Sequence, residues 1–347
     1  MNLQEPEESE DDLDDGVGHI PVMLDEVIEA LRPQPGEWAV DTTAGLAGHS
    51  LALLGRLVPG GRLLALDRDP RIAALAQSAL SQKAPPGATW QVMAANGSAL
   101  PEVLESIGWL DGFDLFLMDC GVCSVHFDMP ELGFSMRRDG PLDMKLTPDE
   151  FGPDASELVN EGSPEGLLHM LRVLGEEPQA RRIVDAIVAA RRKGPIETTA
   201  QLASIVYDAY PARFRGGRRH PATRTFQALR LAVNGELDAL AQALRHALTH
   251  MRVGGRGALI SFMSLEATLI KRTLRAASTP PPSTSADWMR RSGDSPLVVL
   301  PSRAPSDGEI ERNPRSRSAR LWTFTKLAPL SDNITWPRPP ATTNILP

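Results

Sequence analysis

The chain has only two cysteines among its 347 residues, and its aromatic content is 5%. No apolar run in it approaches the roughly 18 residues that a membrane span requires, so no membrane partner is expected. Its first residues show neither an apolar core nor an Arg-rich amphipathic pattern, so neither a secretory nor a mitochondrial leader is readable. The default expectation is a cytoplasmic protein. A hydrophobic content of 42% suffices for a large core in one or two domains.

The two cysteines, Cys120 and Cys123, stand in a C-x-x-C. In an α/β protein that spacing can mark a redox dithiol. Asp119 precedes it directly, however, and a neighbouring carboxylate opposes thiolate formation. A structural zinc would need two further ligands, and no His pair at suitable spacing accompanies the motif. The expectation is small side chains lining a tight turn, with no metal.

Positive charge is scarce in sum, with a formal net charge of −8, but the deficit is local. Residues 1–15 carry Glu5, Glu7, Glu8, Glu10, Asp11, Asp12, Asp14 and Asp15 without a Lys or Arg, and the acids outside this run match the 36 Lys and Arg. Self-repulsion makes residues 1–18 an expected disordered tail. The net charge therefore does not exclude a nucleic-acid partner.

Helical and strand-like patterns alternate through the rest of the chain. A helix is expected within 19–31, with Leu24, Val27 and Leu31 at helical spacing. Strands are expected at Trp38–Asp41, Arg62–Asp67, Thr89–Ala94 and Phe113–Asp119, with helices from Leu51 and from Asp69-Pro70 between them. That is the βαβαβ rhythm of a parallel, doubly wound sheet. It breaks from about Phe127 to His220, where Ala180–Arg192 and Thr199–Tyr207 read as helices and no strong strand occurs. It resumes with a helix over Phe226–Leu244, a turn at Gly254-Gly255, and strands at Gly257–Phe262 and Ala319–Lys326. Ser278–Ser295, rich in Pro and Ser, reads as a loop.

Gly45 and Gly48 follow the first strand, and Asp67 ends the second. Such glycines let backbone approach a nucleotide, and such an acid accepts hydrogen bonds from ribose hydroxyls. A dinucleotide would bring its pyrophosphate close to Asp41, which repels it, and the G-x-G-x-x-G spacing is absent. Acids at the ends of strands one and four, Asp41 and Asp119, suit a ligand that carries an ammonium and a sulfonium. Methyl transfer is therefore favoured over hydride transfer.

Several motifs in order resemble the 16S ribosomal RNA cytosine-N4 methyltransferases, the MraW family. They are His19-x-Pro-Val-Met-Leu-Asp-Glu26, Gly45-x-x-Gly48-His49-Ser50, Leu66-Asp-Arg-Asp-Pro70, Gly133-Phe134-Ser135, Asp139-Gly-Pro-Leu-Asp-Met144 and Gly175-Glu176-Glu177. They continue with His220-Pro-Ala-Thr-Arg-Thr-Phe-Gln-Ala-Leu-Arg230, Val233-Asn234, Ser261-Phe262, Ser264-Leu265-Glu266, Asn313-Pro314-Arg315 and Arg317-Ser318-Ala319. The resemblance spans roughly residues 19–327.

It implies an α/β fold, a Rossmann-like S-adenosylmethionine methyltransferase sheet with an inserted helical domain. The expected layout is a sheet domain at 19–126 and 221–328, an RNA-facing insertion at 127–220, and a loose Pro-rich tail at 329–347. Carried over position by position, contacts to S-adenosyl-L-methionine fall on Ala47, Gly48, His49, Asp67, Gly97, Asp119 and His126. Ala47 stands for the family's glycine, Gly97 for an aromatic and His126 for a glutamine. Met263 and Ala267 stand for His and Asp, and Cys120 and Cys123 for Leu and Ser.

Asp119 is the candidate catalytic carboxylate, as acceptor for the amine hydrogens of a cytidine N4, with a cofactor contact as its other reading. The implied substrate is small-subunit ribosomal RNA in its decoding region, within an assembled or nearly assembled subunit, and a homodimer is a candidate assembly. RNA contacts are expected from Arg215, Arg218, Arg219 and Arg224 with Arg213, and from a second patch at Arg315, Arg317 and Arg320. Few aromatics interleave these segments, which points to recognition of folded RNA by shape rather than by base stacking. The alternative is a non-catalytic ribosome-assembly RNA-binding protein whose cofactor site has drifted; cofactor binding separates the two.

Overall fold

The computed structural model describes residues 20–148, 152–216, 220–279, 295–341 and 345. The acidic run, Arg218, Arg219 and most of the Pro- and Ser-rich stretch 278–295 lie outside the described residues. The chain divides into two compact units, Met1–Cys120 with Gln242–Pro337, and Gly121–Ala241 with Arg338–Pro347.

The first unit begins with α1 (Leu24–Leu31), β1 (Trp38–Asp41), α2 (Gly48–Leu57), β2 (Arg62–Asp67), α3 (Pro70–Lys83), β3 (Thr89–Ala94), α4 (Leu100–Ser106) and β4 (Phe113–Asp119). The four strand boundaries are those read from the sequence. Their central residues are apolar runs because helices cover the sheet: Leu63, Leu64, Ala65 and Leu66 of β2 and Leu115, Phe116 and Leu117 of β4 are buried. Leu53, Leu54 and Leu57 of α2 share one core cluster with Leu63, Ala65, Leu115 and Leu117. Each such side chain contributes about 1.5–3 kcal/mol on burial. Asp69 opens α3 by accepting the Arg71 amide at 2.8 Å, and Pro70 occupies the first turn, where no amide donor is missed.

The second unit is helical. It contains α5 (Val125–Asp128), α6 (Ala155–Glu161), α7 (Pro164–Val173), α8 (Ala180–Arg191), α9 (Thr199–Ala209) and α10 (Thr223–Asn234). Reciprocal side-chain caps start two of them, Asp154 with Glu157 and Thr198 with Gln201. Between Gly121 and Ala241 the only β pairing among the described residues is an isolated bridge, Pro141 with Thr198. Asn234 ties α10 to a loop, donating to the Met144 carbonyl at 2.8 Å and accepting the Leu146 amide at 3.0 Å.

Several boundaries differ from expectation. The continuous helix expected over Phe226–Leu244 is two helices, α10 and α11 (Glu236–His250), because Gly235 adopts φ +55° and terminates the first with its amide on the Leu231 carbonyl. The apolar stripe hides the break, and α10 falls in the helical unit, which extends past His220 to Ala241. The tail is also less loose than its proline content suggests. The Ile345 carbonyl accepts the Ser163 amide at 2.9 Å, and Ile345 is buried in the helical unit.

The first unit resumes with the end of α11, then β5 (Met251–Ser261), α12 (Ser264–Ala277), β6 (Leu297–Val299), a short helix at Asp307–Arg312 and β7 (Arg320–Lys326). β5 starts six residues before the expected Gly257, since Gly254-Gly255 forms a bulge rather than a turn. Pairing with β4 passes from Phe113↔Met251 to Leu115↔Arg256 there. Gly254 sits at φ +89°, and a Cβ on Gly255 would lie 2.9 Å from the Asp114 carbonyl oxygen. The sheet order is β3-β2-β1-β4-β5-β7-β6. β1 to β5 are mutually parallel, and β7 runs antiparallel to both β5 and β6. β1 separates two outward-growing halves, so the order reverses beside β1 and β4, the place where open α/β sheets bind ligands at their carboxyl ends. Among the described residues no helix is long and apolar enough to cross a membrane.

Candidate cofactor site

The carboxyl ends of β1, β2 and β4 each finish in an aspartate, and the three differ in what they hold. Asp41 is buried at 1% exposure and saturated. It accepts the Ser50 hydroxyl at 2.7 Å and the Thr43 amide at 3.0 Å. Burial, only partly offset by these hydrogen bonds, raises its carboxyl above the ordinary value. Asp41 therefore shapes the turn, with both of its oxygens engaged by neighbouring residues.

Asp67 is half-buried and accepts the Gly45 amide at 3.0 Å and the Asp69 amide at 3.0 Å, one on each oxygen. Burial pushes its carboxyl up to about 6, against the two amides, which pull it down. Each oxygen keeps a further acceptor direction for a ribose hydroxyl.

Asp119 has neither kind of support. Its Oδ1 is sealed from solvent and has no hydrogen-bond partner among the described residues. Desolvation first, then the charges of Asp41 and Glu266, hold its carboxyl well above the usual range. Its backbone is nonetheless well fixed. The Asp119 amide donates to the Thr43 hydroxyl at 2.6 Å, which joins the end of β4 to the loop after β1. Glu266, buried at 3%, accepts the amides of Phe262 and Met263 and so caps α12 beside the end of β5. Thr43 and Glu266 were not among the expected site residues. Glu266 lies in a recognised motif, but nothing in the spacing shows that its charge bears on Asp119.

The loop between β1 and α2 explains its small residues one at a time. Gly45 adopts φ +51°, and Ala47, the N-cap of α2, adopts φ +63°. A left-handed alanine is strained, so glycine would fit Ala47's backbone better. Gly48 has a different reason. A Cβ there would lie 2.2 Å from Cγ of Pro21, so the segment before α1 uses the space that the sequence reading reserved for a ligand. His49 is buried, with Nε2 3.0 Å from the Val22 carbonyl oxygen, and holds the same segment. Gly97 is buried in a short 3-10 turn, where an added Cβ would meet Ala243 Cβ at 3.1 Å and Thr42 Cβ at 3.2 Å.

Ala47, Gly48, His49, Asp67, Gly97 and Asp119 thus all belong to the first unit, on the loops after β1 and β3 and at the ends of β2 and β4. His126 belongs to the second, where its buried ring lies 5.7 Å from that of Phe134. Cys120 is buried and Cys123 partly so. Among the described residues no group of His, Cys, Asp and Glu is arranged to hold a metal.

Of the expected RNA contacts, Arg215 and Arg224 are both in the helical unit and both partly engaged. Arg215 donates to the Tyr210 and Asp208 carbonyls at 2.9 and 2.8 Å, and Arg224 to the Glu176 carbonyl at 3.0 Å. Arg315 and Arg317 lie in a 3-10 turn at Pro314–Ser318, and Arg320 begins β7. An unexpected pair anchors this unit: the Tyr210 hydroxyl bridges both oxygens of buried Glu177 at 2.6 and 2.7 Å, and burial first, then this bond, hold the phenol well above its ordinary value.

A seven-stranded sheet of this order, with an antiparallel strand inserted beside β5 and acids at its carboxyl ends, defines the Rossmann-like methyltransferases that use S-adenosylmethionine. The particular family follows from comparison. Residues 16–327 match the model of the MraW methylase family, and the chain belongs to that family. It is 44% identical over 314 residues to the ribosomal RNA small subunit methyltransferase H of Nitratidesulfovibrio vulgaris (strain DSM 19637 / Miyazaki F), covering 89% of this chain and 86% of that protein. It is 40% identical over 311 residues to the protein of the same name from Coxiella burnetii (strain Dugway 5J108-111), covering 89% and 99%. Among solved structures, a putative rRNA-methylase from Clostridium thermocellum shows a loose likeness, with a TM-score of 0.41 at 9% identity over 89% of this chain and 100% of that one.

Proposed function

We propose that this protein methylates the exocyclic N4 of a cytidine in the decoding region of small-subunit ribosomal RNA, in the cytoplasm, with S-adenosylmethionine as donor. The observation that carries this reading is the sealed, unpartnered Oδ1 of Asp119 at the reversal point of the sheet. A buried polar atom without a partner costs about 1–3 kcal/mol, a cost that a ligand's hydrogen bond removes. The residues present fit S-adenosylmethionine: acids at the ends of β1, β2 and β4 favour a cationic ligand, and no phosphate has to be accommodated. When bound, it supplies an electrophilic methyl group on a sulfonium sulfur.

The chain's own residues then divide the work. Asp67 accepts from ribose hydroxyls, while the amides of Gly45 and Asp69 hold it in place. Ala47, Gly48, His49 and Gly97 form the wall of small and buried groups around the turn. The N4 amine of cytosine is conjugated with its ring and poorly nucleophilic, so catalysis requires orientation above all. Asp119 accepts a hydrogen bond from the amine and turns its lone pair out of conjugation. The released proton needs no strong base, because the methylated amine is acidic. His49 remains a positioning group for the segment before α1.

Mass-spectrometric mapping of small-subunit ribosomal RNA from cells with and without the protein tests the reading. Loss of one N4-methyl mark on a decoding-region cytidine is expected. A full set of cytidine N4 marks in the deleted strain would overturn it.

A further inference from the structure

The sequence shows few aromatics among its arginines, yet the end of α9 and the turn after it bring the available ones together. Tyr207 is 39% exposed and Phe214 is 48% exposed, unusual values for rings that a folded unit has the chance to bury. Each carries an arginine on its ring. The Arg213 guanidinium carbon lies 4.8 Å from the Phe214 centroid, and that of Arg215 lies 5.1 Å from the Tyr207 centroid. The His220 ring lies 5.9 Å from Tyr207 at an interplanar angle of 25°.

These groups are fixed from behind. Arg215 is anchored by two backbone carbonyls and reaches Asp208 only at 4.0 Å, so its charge is positioned without a tight ion pair. The next turn of the chain is pinned by Tyr210 on Glu177. Partial burial and then the charge of Arg137 lower the His220 imidazole below its ordinary value, and its Nδ1 accepts the Ala222 amide at 3.2 Å. Arg213 is exposed and forms no ion pair among the described residues.

We infer that Tyr207 and Phe214, with Arg213 and Arg215, form a platform on which unpaired bases of the RNA substrate stack. Duplex RNA hides its base faces, whereas every unpaired base offers one, and exposed rings beside arginines are the chemistry that receives it. The charge sign suits the phosphates of the same strand. This rests on the RNA-methylating function proposed above and adds to it the form of RNA taken: a single-stranded segment rather than a folded surface read by shape.

The test is binding of full-length protein to a single-stranded RNA oligonucleotide containing 2-aminopurine, with a duplex of the same sequence for comparison. The single strand is expected to bind with quenching of the base fluorescence, which reports stacking directly. Phe214→Ala and Tyr207→Ala should each lower its affinity by about 5- to 100-fold and abolish quenching, while Phe214→Trp retains both. Arg213→Gln should flatten the salt dependence by about one phosphate contact, which neither ring variant does. Leu110→Ala, an exposed apolar residue of the other unit, serves as the control and should bind as wild type. Circular dichroism melts confirm folding of every variant. Equal binding and quenching in the ring variants, or equal affinity of wild type for duplex and single strand, would overturn the platform. Neither readout involves methylation, so a failure here is distinct from failure of the rRNA mapping.

Discussion

The ends of β1 and β2 and the end of β4 are built from the same residue and treated in opposite ways. Asp41 and Asp67 each accept hydrogen bonds at both carboxylate oxygens, whereas Asp119 is held by its backbone and its Oδ1 has no partner among the described residues. Asp41 spends its hydrogen bonds on shape, and Asp67 keeps acceptor directions beside its two amides. The last acid keeps one oxygen, Oδ1, without a partner among the described residues. Substitutions should therefore separate folding from function according to the strand end they touch.

The largest effect is expected at Asp119. Asp119→Ala should lower methylation by about 10²–10³-fold, the usual consequence of losing one well-aimed polar group. The unliganded protein should melt no earlier than wild type, since an unpaired buried carboxyl has been removed. Single-turnover assays with urea titration read both quantities, and a loss of stability equal to the loss of activity would erase the contrast.

Asp41→Ala should do the reverse. It strands the buried Ser50 hydroxyl and the Thr43 amide, for a destabilisation of about 2–4 kcal/mol in urea unfolding. An unchanged midpoint would show that Asp41 is no more structural than Asp119.

Asp67 stands between them. Asp67→Ala should weaken cofactor binding by roughly 1–3 kcal/mol in calorimetry. Its pH dependence has a definite sign. The folded value of about 6 lies above the ordinary 3.8, so the unliganded fold holds this proton more tightly than the unfolded chain does. The Asp67 contribution to stability is therefore greatest at low pH, falls as pH rises through the interval from 3.8 to about 6, and stays low above it. Cofactor affinity should run the other way, falling by up to about tenfold per unit as pH drops below the folded value, because protonation removes an acceptor. Affinity in Asp67→Asn should lose this pH dependence.

The smallest effect belongs to the turn itself. Ala47→Gly relieves a left-handed alanine, at the expense of a looser unfolded chain, and should raise stability by about 0.5–1 kcal/mol. A lower melting temperature would show that the Ala47 methyl, wholly buried, matters more for packing than its backbone angle.

The sheet was more legible than the helical unit for physical reasons. β1, β2 and β4 have buried apolar centres and each ends in an aspartate, so an apolar run and an acid mark each of them. β6 is three residues long, and its Val298 and Val299 are exposed, so neither length nor alternation signals it. The break at Gly235 is invisible because the apolar residues on either side keep helical spacing across it. Among the site residues, Asp67 and Asp119 were readable from their position at strand ends. The demand of Asp119 was not, since an orphaned oxygen is a property of everything around it. Tyr207 and the Arg215 on its ring sit on different elements, and Tyr210 and Glu177 are 33 residues apart, so no local pattern predicts either pairing.

The bulged strand β5 also sets an order in time. It supplies the outer neighbour of β4, but residues 120–250 are made between the two. At about 5–20 residues per second, a growing chain carries β4 with one edge unpaired for on the order of ten seconds. That edge is an open template flanked by buried Leu115, Phe116 and Leu117, the kind of surface that pairs with the wrong strand. A segment made in the interval and able to fold by local helical contacts does not compete for it. Nascent chains halted near residue 200 should aggregate or engage chaperones more readily than chains halted near residue 300, in which β5 has emerged.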